Sequence, residues 1–444
     1  MARLDAATLA TATVAQHLSD HNQLHTKANY VYDVIDYGAT GDGSTDDSSA
    51  IQSAMTAATG GICFIPAGTY RANDLSLPAS TILYADGVTI ERHEATGNPV
   101  LTVAASCYVA GIAVSGRNTT LTGQSGEYGI YVTGDSTVLE RVTSSLNYGH
   151  GIIADSDYWH INRCVSFSNG ENPGSGGTGD GIFALNANYG SITNCRTYSN
   201  ARTGIVATTY SGGGVDATLS TYVLCDGCYS ASNSYNQANF EGVSYAKVLN
   251  LRLGTGDLLM SSSNDCVVEN LAGSFYASGS ARITVNGLEL STTDTASAFY
   301  LSGARPKVSN VRITGSGGSY SGNAFEVVDS TDYAGMVSDI TVNYCNNGAT
   351  LSGVSDISNL RVTNASNIPW WVTRAGGTGA RTTDLIDATS NRLTVSASAA
   401  PTNGWWAVGD VCYDSGVSAG GTVGWVCTTA GSPGTWKAFG SVAS

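Results

Sequence analysis

The chain has few charged residues and almost no lysine. Only 12% of its 444 residues are charged, four Lys stand against sixteen Arg, and the net charge is −15. A compact α/β enzyme usually carries more Lys, Glu and Leu than this. Because an acidic surface repels nucleic acid and anionic membranes, the sequence predicts neither as a partner.

Long apolar runs are missing as well. No stretch approaches the roughly 20 apolar residues that a membrane-spanning helix needs, so membrane insertion is not expected. The first twenty residues include Asp5 and have no continuous apolar core, so neither a signal peptide nor Sec export is expected. A protein of this kind that acts outside the cell is expected to leave by lysis, as a part of a virion does.

The ten Cys form neither a dense disulfide framework nor a pair of C-x-x-C motifs. Cys225 and Cys228 make one isolated motif without a His or a second pair nearby, so a zinc site is not predicted. The sequence does not decide whether Cys412 and Cys427 form a disulfide.

The chain is rich in Gly, with 54 residues, and in Ser, Thr, Asn and Val, which is typical of many short strands joined by turns. Three segments align without gaps: HINRCVSFSN (160–169), SITNCRTYSN (191–200) and LCDGCYSASN (224–233). The aligned columns contain Cys164, Cys195 and Cys228, and Asn169, Asn200 and Asn233.

A Gly-Ile element recurs beside these segments, in YGIYV (128–132), HGIIA (150–154), DGIFA (180–184) and TGIVA (203–207). Short strands with Gly or Asn corners at this period predict an all-β fold, a right-handed parallel β-helix whose coils stack at ~4.8 Å. Like residues then lie above one another. Stacked Asn can hydrogen-bond along such a ladder, and stacked Cys can fill the core.

Five Asp lie between positions 32 and 55, where they could form a metal or acid/base site or could serve turns and a helix cap. The segments VIDYGATGDGSTDD, AIQSAM and FIPAGTY resemble the N-terminal signature of the pectate-lyase-like superfamily, which includes polygalacturonases and phage tailspikes. In that family this signature starts and caps the β-helix. The resemblance therefore implies that Asp42, Asp46 and Asp47 are turn and cap residues, as their local chemistry also favours.

The predicted organisation has five parts. They are an N-terminal attachment arm (1–30), a helical capping segment (31–79), the β-helix (80–366), a transition (367–403) and a small Trp-rich β-module (404–444). Six of the seven Trp follow residue 366. They can stack on sugars, but a role in a small core or a trimer interface is favoured. The last part is similar to C-terminal modules of phage tailspikes.

The candidate site comes from the column before the recurrent Gly, which contains Tyr128, His150, Asp180, Thr203 and, in FEGV, Glu241. We expect Asp180 and Glu241 to be the catalytic acid/base pair, two coils or ~9.6 Å apart, close to the separation in an inverting glycosidase. Because side chains alternate between the two sides of a strand, this column is expected to point into the core unless the chain bends at the Gly. The flanking residues are predicted to be His150, Asp155 and Asp157, with Trp159 and Tyr158 as a sugar-binding platform, and the reserve acids are Asp257 and Asp265.

The family resemblance implies a homotrimeric spike, located in the virion tail and attached to the phage tail or baseplate, that hydrolyses a bacterial surface polysaccharide without a cofactor. A polysaccharide lyase on the same scaffold is an alternative, and for it Asp155 and Asp157 give a minimal indication of Ca²⁺. A non-catalytic glycan-binding spike is the third possibility. The fold cannot separate the three, because one scaffold carries many activities.

Overall fold

A computed structural model describes residues 31–444 except 118–125, 171–178, 187, 209, 212–213, 216–219, 293–297, 316–322, 330–334, 344–346, 353, 364–369, 375–376, 382–384, 388–391, 403–405 and 432. The predicted arm, residues 1–30, lies outside these residues. No described helix is long and apolar enough to cross a membrane.

The short Gly- and Asn-bounded segments form strands that stack coil upon coil in parallel register, so the predicted right-handed parallel β-helix is confirmed. Each central coil contributes one strand to each of three faces, which we name A, B and C. Face A, which follows the recurrent Gly, contains Leu75–Leu77, Leu101–Val103, Ile130–Val132, Ile152–Ala154, Ile182–Leu185, Ile205–Thr208, Ala238–Glu241, the second parts of Arg252–Ser261 and Val267–Ala281, Phe299–Ala304, Asn323–Asp329, Asn347–Ser352 and Trp370–Arg374.

Faces B and C complete each coil. Face B contains Val31–Asp33, Ile62–Phe64, the first parts of Ile82–Arg92 and Tyr108–Ser115, Val138–Glu140, His160–Asn162, Ser191–Thr193, Leu224–Asp226, Lys247–Leu249 and the start of Val267–Ala281. Face C contains Asp42–Asp46, Gly68–Ala72, the second parts of Ile82–Arg92 and Tyr108–Ser115, Thr143–Ser145, Val165–Phe167, Arg196–Tyr198, Tyr229–Ala231 and the start of Arg252–Ser261. Further along, single strands serve both faces: Thr284–Thr292, Lys307–Gly315, Gly335–Asn343 and Val354–Thr363. Short side pairings join Tyr210–Ser211 to Gly214–Val215 and Ser220–Thr221 to Val243–Ser244.

The predicted Asn and Cys columns are both confirmed. The Asn column runs through the interior, where each Asn side-chain amide donates to the carboxamide oxygen of the next Asn at 2.8–2.9 Å. The Cys side chains are buried in the core, and every Cys in the described residues is a free thiol. The structure adds one member to the Asn column, which consists of Asn147, Asn169, Asn200 and Asn233.

The recurrent Gly is required by close packing at the corner before face A. A Cβ atom on Gly151 would lie 2.0 Å from Ser166 Oγ, and one on Gly181 would lie 2.6 Å from the Gly204 carbonyl oxygen. The Ser166 hydroxyl donates to the Gly181 carbonyl at 2.7 Å, so the hydroxyl holds the corner where a side chain would otherwise stand. Glycine is therefore the residue that lets the chain turn from the Asn ladder into face A.

Replacing Asn200 with Ala is expected to lower the free energy of unfolding by about 1–3 kcal/mol, because buried ladder groups lose their partners. Asn200 donates to Asn233 Oδ1 at 2.9 Å and accepts from Asn169 Nδ2 at 2.9 Å. Urea unfolding would measure the change. Asn286→Ala is the matched control, since Asn286 is half-buried and water can replace its two partners. Equal losses in both variants would contradict a special role for the buried ladder.

The first coil is covered by a short 3₁₀ helix, Val34–Tyr37, and an α-helix, Ser48–Ala57. The α-helix buries Ile51, Ala54 and Met55. The acidic residues before it serve turns, as predicted: Asp42 accepts from the Ser44 and Thr45 amides, and Asp46 accepts from the Ser48 amide. Asp47 stands at the N-cap, but its carboxylate accepts from Thr40 N (2.7 Å) and Gly41 N (3.3 Å) and does not cap the helix.

The parallel stack ends near Trp370–Arg374, beyond which the described strand pairs are antiparallel, apart from the parallel pair of Arg392–Ala397 with Val411–Asp414. The further strands are Gly377–Arg381, Leu385–Asp387, Arg392–Ala397, Val411–Asp414, Thr422–Thr429 and Thr435–Ser441. Trp406, which precedes the last three strands, is buried and packs edge-on against Trp436 in the final strand, with ring centroids 4.8 Å apart. Cys412 and Cys427 are buried free thiols. These two Trp thus contribute to a core, while Trp405 lies outside the described residues.

Candidate functional site

The structure aligns the first four members of the predicted column before the recurrent Gly in successive coils. Backbone bonds run from Gly129 N to His150 O (3.0 Å), from Gly151 N to Asp180 O (2.9 Å) and from Gly181 N to Thr203 O (2.9 Å). His150 and Asp180 therefore lie one coil apart. Both are buried, however, because the corner geometry keeps their side chains beneath the surface.

Asp180 is the centre of a buried charged cluster and does not face solvent. Its Oδ1 accepts from Arg202 Nε at 2.9 Å and from Thr203 N at 3.0 Å. Its Oδ2 lies 3.1 Å from His150 Nδ1. That ring nitrogen accepts the Asp180 amide hydrogen at 3.2 Å, so in this arrangement it does not also donate to Oδ2, which has no hydrogen-bond partner within the described part of the chain. Since its residue is 0% exposed, the Asp180 carboxylate cannot meet a polymer without local opening.

Glu241 does not belong to the column of Asp180, so the predicted spacing of the pair is wrong. The register pairs Ala238 with Ile205 and Glu241 with Thr208. The next member of the column after Thr203 is Asn236, whose carbonyl accepts from Gly204 N at 3.1 Å. The Gly after Glu241 is therefore not a member of the recurrent Gly column, because Glu241 lies at the far end of its face A strand, Ala238–Glu241.

Trp159 is not a sugar platform, because it is 1% exposed and lies in the core. Its indole fills the space above Gly190, where an added Cβ atom would come within 2.1 Å of Trp159 Cζ2. The preceding residue, Tyr158, has a φ of 58°. A left-handed residue interrupts the alternation of inward and outward side chains, and this turns Trp159 inward.

Replacing Trp159 with Ala is expected to lower the free energy of unfolding by about 3–5 kcal/mol, because it removes a large core side chain and leaves a cavity. Thermal or urea unfolding would measure the loss. Tyr158→Ser is the control, since the Tyr158 side chain is exposed and only its ring stacking, worth about 0.5–1.5 kcal/mol, is lost. Unchanged stability with weakened glycan binding in Trp159→Ala would instead support the original platform prediction.

Asp157 and Tyr158 lie at the corner between faces A and B. The Asp157 carboxylate accepts from the Asn188 amide and side chain, both at 3.0 Å, and the Asp157 amide donates to Asp135 Oδ1 at 2.9 Å. Asp157 thus stabilises a stack of turns. The reserve acid Asp265 lies at the same corner in a later coil, where it pairs with Arg282. No cluster that could hold a metal ion is present among the described residues, and Asp155 and Asp157 do not form one.

Asp155 and the partly exposed rings of Tyr131, Tyr128 and Phe183 are connected through the buried ring of His150. Asp155 Oδ2 accepts from the Tyr131 hydroxyl at 3.0 Å. The Tyr131 ring meets Tyr128 edge-on at 6.1 Å, Tyr128 lies 5.3 Å from the His150 ring, and His150 lies 4.9 Å from Phe183. We call these four rings the aromatic strip. It links Asp155 at one edge of face A to Asp180 and Arg202 beneath the other.

The protonation of Tyr131 follows from this setting. Burial, together with the adjacent Asp155 carboxylate, raises the pKa of Tyr131 to about 12. The phenol therefore stays protonated at neutral pH and donates to Asp155. Burial also raises the pKa of Tyr128, which is half-buried in the same strip.

Tyr131, Phe183 and Arg202 were missed at the level of sequence. A usable signal was present for two of them: the middle residue of each short face A strand points outward, and Tyr131 and Phe183 occupy that position. Arg202 had no such signal, because its bond to Asp180 depends on how the corner folds.

Asp155 and Glu241 share a column at the far edge of face A. Ala154 pairs with Ala184, so the residues that follow them, Asp155 and Leu185, lie level in adjacent coils. In the next two coils the same position is held by Thr208, which pairs with Leu185, and by Glu241, which pairs with Thr208. The two carboxylates are thus three coils apart, or ~14 Å at the backbone. Both residues are partly exposed. The inserts predicted to wall the groove, 170–179 and 208–221, lie mostly outside the described residues.

The parallel stacking of the coils defines the chain as a right-handed parallel β-helix protein. Residues 31–106 match the model of the family "Rhamnogalacturonase A/epimerase, pectate lyase-like". The resemblance of the N-terminal signature to pectate-lyase-like proteins is therefore confirmed over this segment.

The relatives agree with the family match. A probable rhamnogalacturonase C from Aspergillus flavus is 43% identical over 81 residues, which cover 17% of this chain and 18% of the relative. The chain thus matches less than a fifth of that relative's length. The N-terminal fragment of bacteriophage Phi29 gene product 12 has a TM-score of 0.55 at 17% identity, covering 86% of this chain and 78% of that one. PfbA, a surface adhesin of Streptococcus pneumoniae, has a TM-score of 0.55 at 15% identity, covering 80% of this chain and 98% of that one. At these identities the two structures show a shared fold.

Proposed function

We propose that the protein is a tailspike-type depolymerase that binds a bacterial surface polysaccharide on face A and hydrolyses its glycosidic bonds. The observation that carries the proposal is the aromatic strip, which places Tyr and Phe side chains on an outward face next to the partly exposed Asp155. Aromatic rings stack on the apolar faces of sugars, and carboxylates supply the acid and base of most glycosidases.

The comparisons support a polysaccharide as the ligand of this protein. The first coils match proteins named as rhamnogalacturonases, and a phage gene product and a bacterial surface adhesin share the fold. The fold alone leaves the activity open, because function depends on the site.

The proposed catalytic carboxylates are Asp155 and Glu241, in place of Asp180 and Glu241. Their backbones are ~14 Å apart, so the side chains must lean toward each other along the helix axis to approach the ~6.5–9.5 Å of an inverting pair. Asp155 presently faces the opposite way, since it bonds to Tyr131 in the preceding coil. A bound glycan that takes over the Tyr131 hydroxyl would release Asp155 for this role.

A β-elimination mechanism is the second candidate, and one observation favours it. The Asp155 carboxylate accepts a hydrogen bond from the Tyr131 phenol at 3.0 Å, and no second carboxylate is comparably close among the described contacts of Asp155. Tyr and His side chains are suited to proton transfer in elimination. The raised pKa of Tyr131 keeps the phenol protonated at neutral pH, which argues against the phenol as the base, and it also makes the phenol a weaker acid than an ordinary tyrosine.

The assembly is also proposed. A homotrimer fixed to a phage tail or baseplate fits a long acidic β-helix, with the arm and the Trp-rich module as contacts and the part boundaries as predicted from the sequence. Light scattering at micromolar concentration is expected to give the mass of three chains. A monomeric mass would exclude this assembly.

Products from purified host-envelope polysaccharide test the function directly. Hydrolysis gives new reducing ends without near-ultraviolet absorbance, whereas elimination gives unsaturated ends that absorb there. An unchanged polymer length with retained binding would identify a non-catalytic spike and overturn the proposed activity.

A further inference from the structure

Four Tyr side chains form a continuous stack on the surface, at the corner between faces A and B. Successive ring centroids are 5.0 Å apart and the planes are within 4–10° of parallel. Each side chain is 46–52% exposed. We call the four residues the tyrosine stack: Tyr158, Tyr189, Tyr222 and Tyr245.

The backbone does not require tyrosine at this corner. All four residues have φ between 53° and 61°, and Ser106 and Ser136 hold the same left-handed position in earlier coils. Asn is the usual non-Gly residue in this conformation, and it holds another left-handed corner of this β-helix, as in Asn194 and Asn250. A bulky, half-exposed ring in four successive coils therefore points to a property of the surface.

The same corner becomes cationic in the coils that follow. After Tyr245 the position is occupied by Asp265, Arg282 and Arg305 in turn. These three residues and Lys307 line an open cavity of about 390 Å³. Three cations and one carboxylate thus meet in a chain whose net charge is −15. The carboxylate is already engaged by Arg282, in a bidentate pair with bonds of 2.5 and 2.6 Å.

We propose that the tyrosine stack and this cationic cavity form one binding track for a linear, carboxylate-bearing polysaccharide, separate from the site on face A. The stack presents a row of phenol rings whose centroids are 5.0 Å apart, and each phenolic hydroxyl can donate to and accept from a sugar hydroxyl. The cavity at its end supplies charge complementarity for a sugar carboxylate. The choice of a polysaccharide as the ligand rests on the proposed function, but the residues of the track differ from those of the proposed site on face A.

Affinity electrophoresis of the full chain tests this track with polygalacturonate as the probe and neutral dextran as the reference. The chain is expected to be retarded by polygalacturonate and not by dextran. Tyr189→Ser combined with Tyr222→Ser should weaken retardation at least about fivefold, since Ser occupies this corner elsewhere and the fold should tolerate it. Lys307→Ala should weaken retardation at low salt, with a smaller effect at high salt.

Tyr198→Ser is the matched control, because Tyr198 stacks on Phe167 at 4.9 Å and 9° on face C, away from the track. It should bind as the unaltered chain does. Equal binding by the double Tyr variant would overturn the proposal, as would equal retardation by dextran. Equal binding of duplex DNA would overturn it too, because it would show unspecific attraction of polyanions. The proposed hydrolysis on face A is tested separately, by measuring product formation from short oligosaccharides. The double Tyr variant should retain this activity.

Discussion

Asp155→Asn is expected to lower the rate of polysaccharide depolymerisation by about 10²–10⁴-fold, the usual cost of losing a general acid or base. The side chain keeps its size, and its amide oxygen can still accept from the Tyr131 hydroxyl, so the aromatic strip should stay in place. The rate of reducing-end formation and the fall in polymer viscosity would both measure the effect.

The control for Asp155 is Asp157→Asn, two residues further on. The Asp157 carboxylate serves the turn stack through Asn188, so this variant should keep most of its activity. Binding of the intact polymer should be nearly equal in both variants. Full activity in Asp155→Asn would remove Asp155 from the mechanism and redirect attention to Glu241.

Arg202→Ala is expected to lower the free energy of unfolding by about 3–5 kcal/mol, because it leaves the buried Asp180 carboxylate without its charged partner. Arg202 Nε lies 2.9 Å from Asp180 Oδ1, and the Asp180 side chain is 0% exposed. Urea unfolding monitored by circular dichroism would give the change. The double variant Arg202→Ala, Asp180→Asn should recover part of the lost stability, since the buried charge is then absent.

Arg163→Ala is the matched control for the buried pair. Arg163 Nη1 lies 3.5 Å from Glu140 Oε1, but the Arg163 side chain is 65% exposed, so its loss should cost less than about 1 kcal/mol. If Arg202→Ala proved no more harmful than this control, Asp180 would not depend on Arg202, and its burial would need another explanation.

The parts of the fold that repeat within a few coils could be predicted from the sequence. The Asn and Cys columns were found because the segments that carry them keep one spacing, and the parallel register then stacks like on like. The N-terminal Asp residues were assigned to turns for a local reason, since short acidic side chains bond to nearby amides.

The site could be predicted only in part, for two physical reasons. Glu241 was misplaced because the coil between Thr208 and Ala238 contains an insert, and a Gly found by pattern does not reveal which corner it occupies. Trp159 was misplaced because the left-handed Tyr158 resets the alternation of side chains. The structure places His150, Asp180 and Asp155 beside face A, but the burial of the first two follows from corner geometry that no spacing rule encodes.

Hydroxyl-radical footprinting of the Asp155→Asn variant, with and without its polysaccharide, tests most directly whether face A is the glycan site. Mass spectrometry reads the oxidation of each aromatic residue. The proposed function predicts that the polysaccharide protects Tyr131 and Phe183 while leaving Tyr198 on face C unchanged. Protection confined to Trp425 and Trp436 in the C-terminal module, with Tyr131 and Phe183 oxidised as in the free protein, would contradict it.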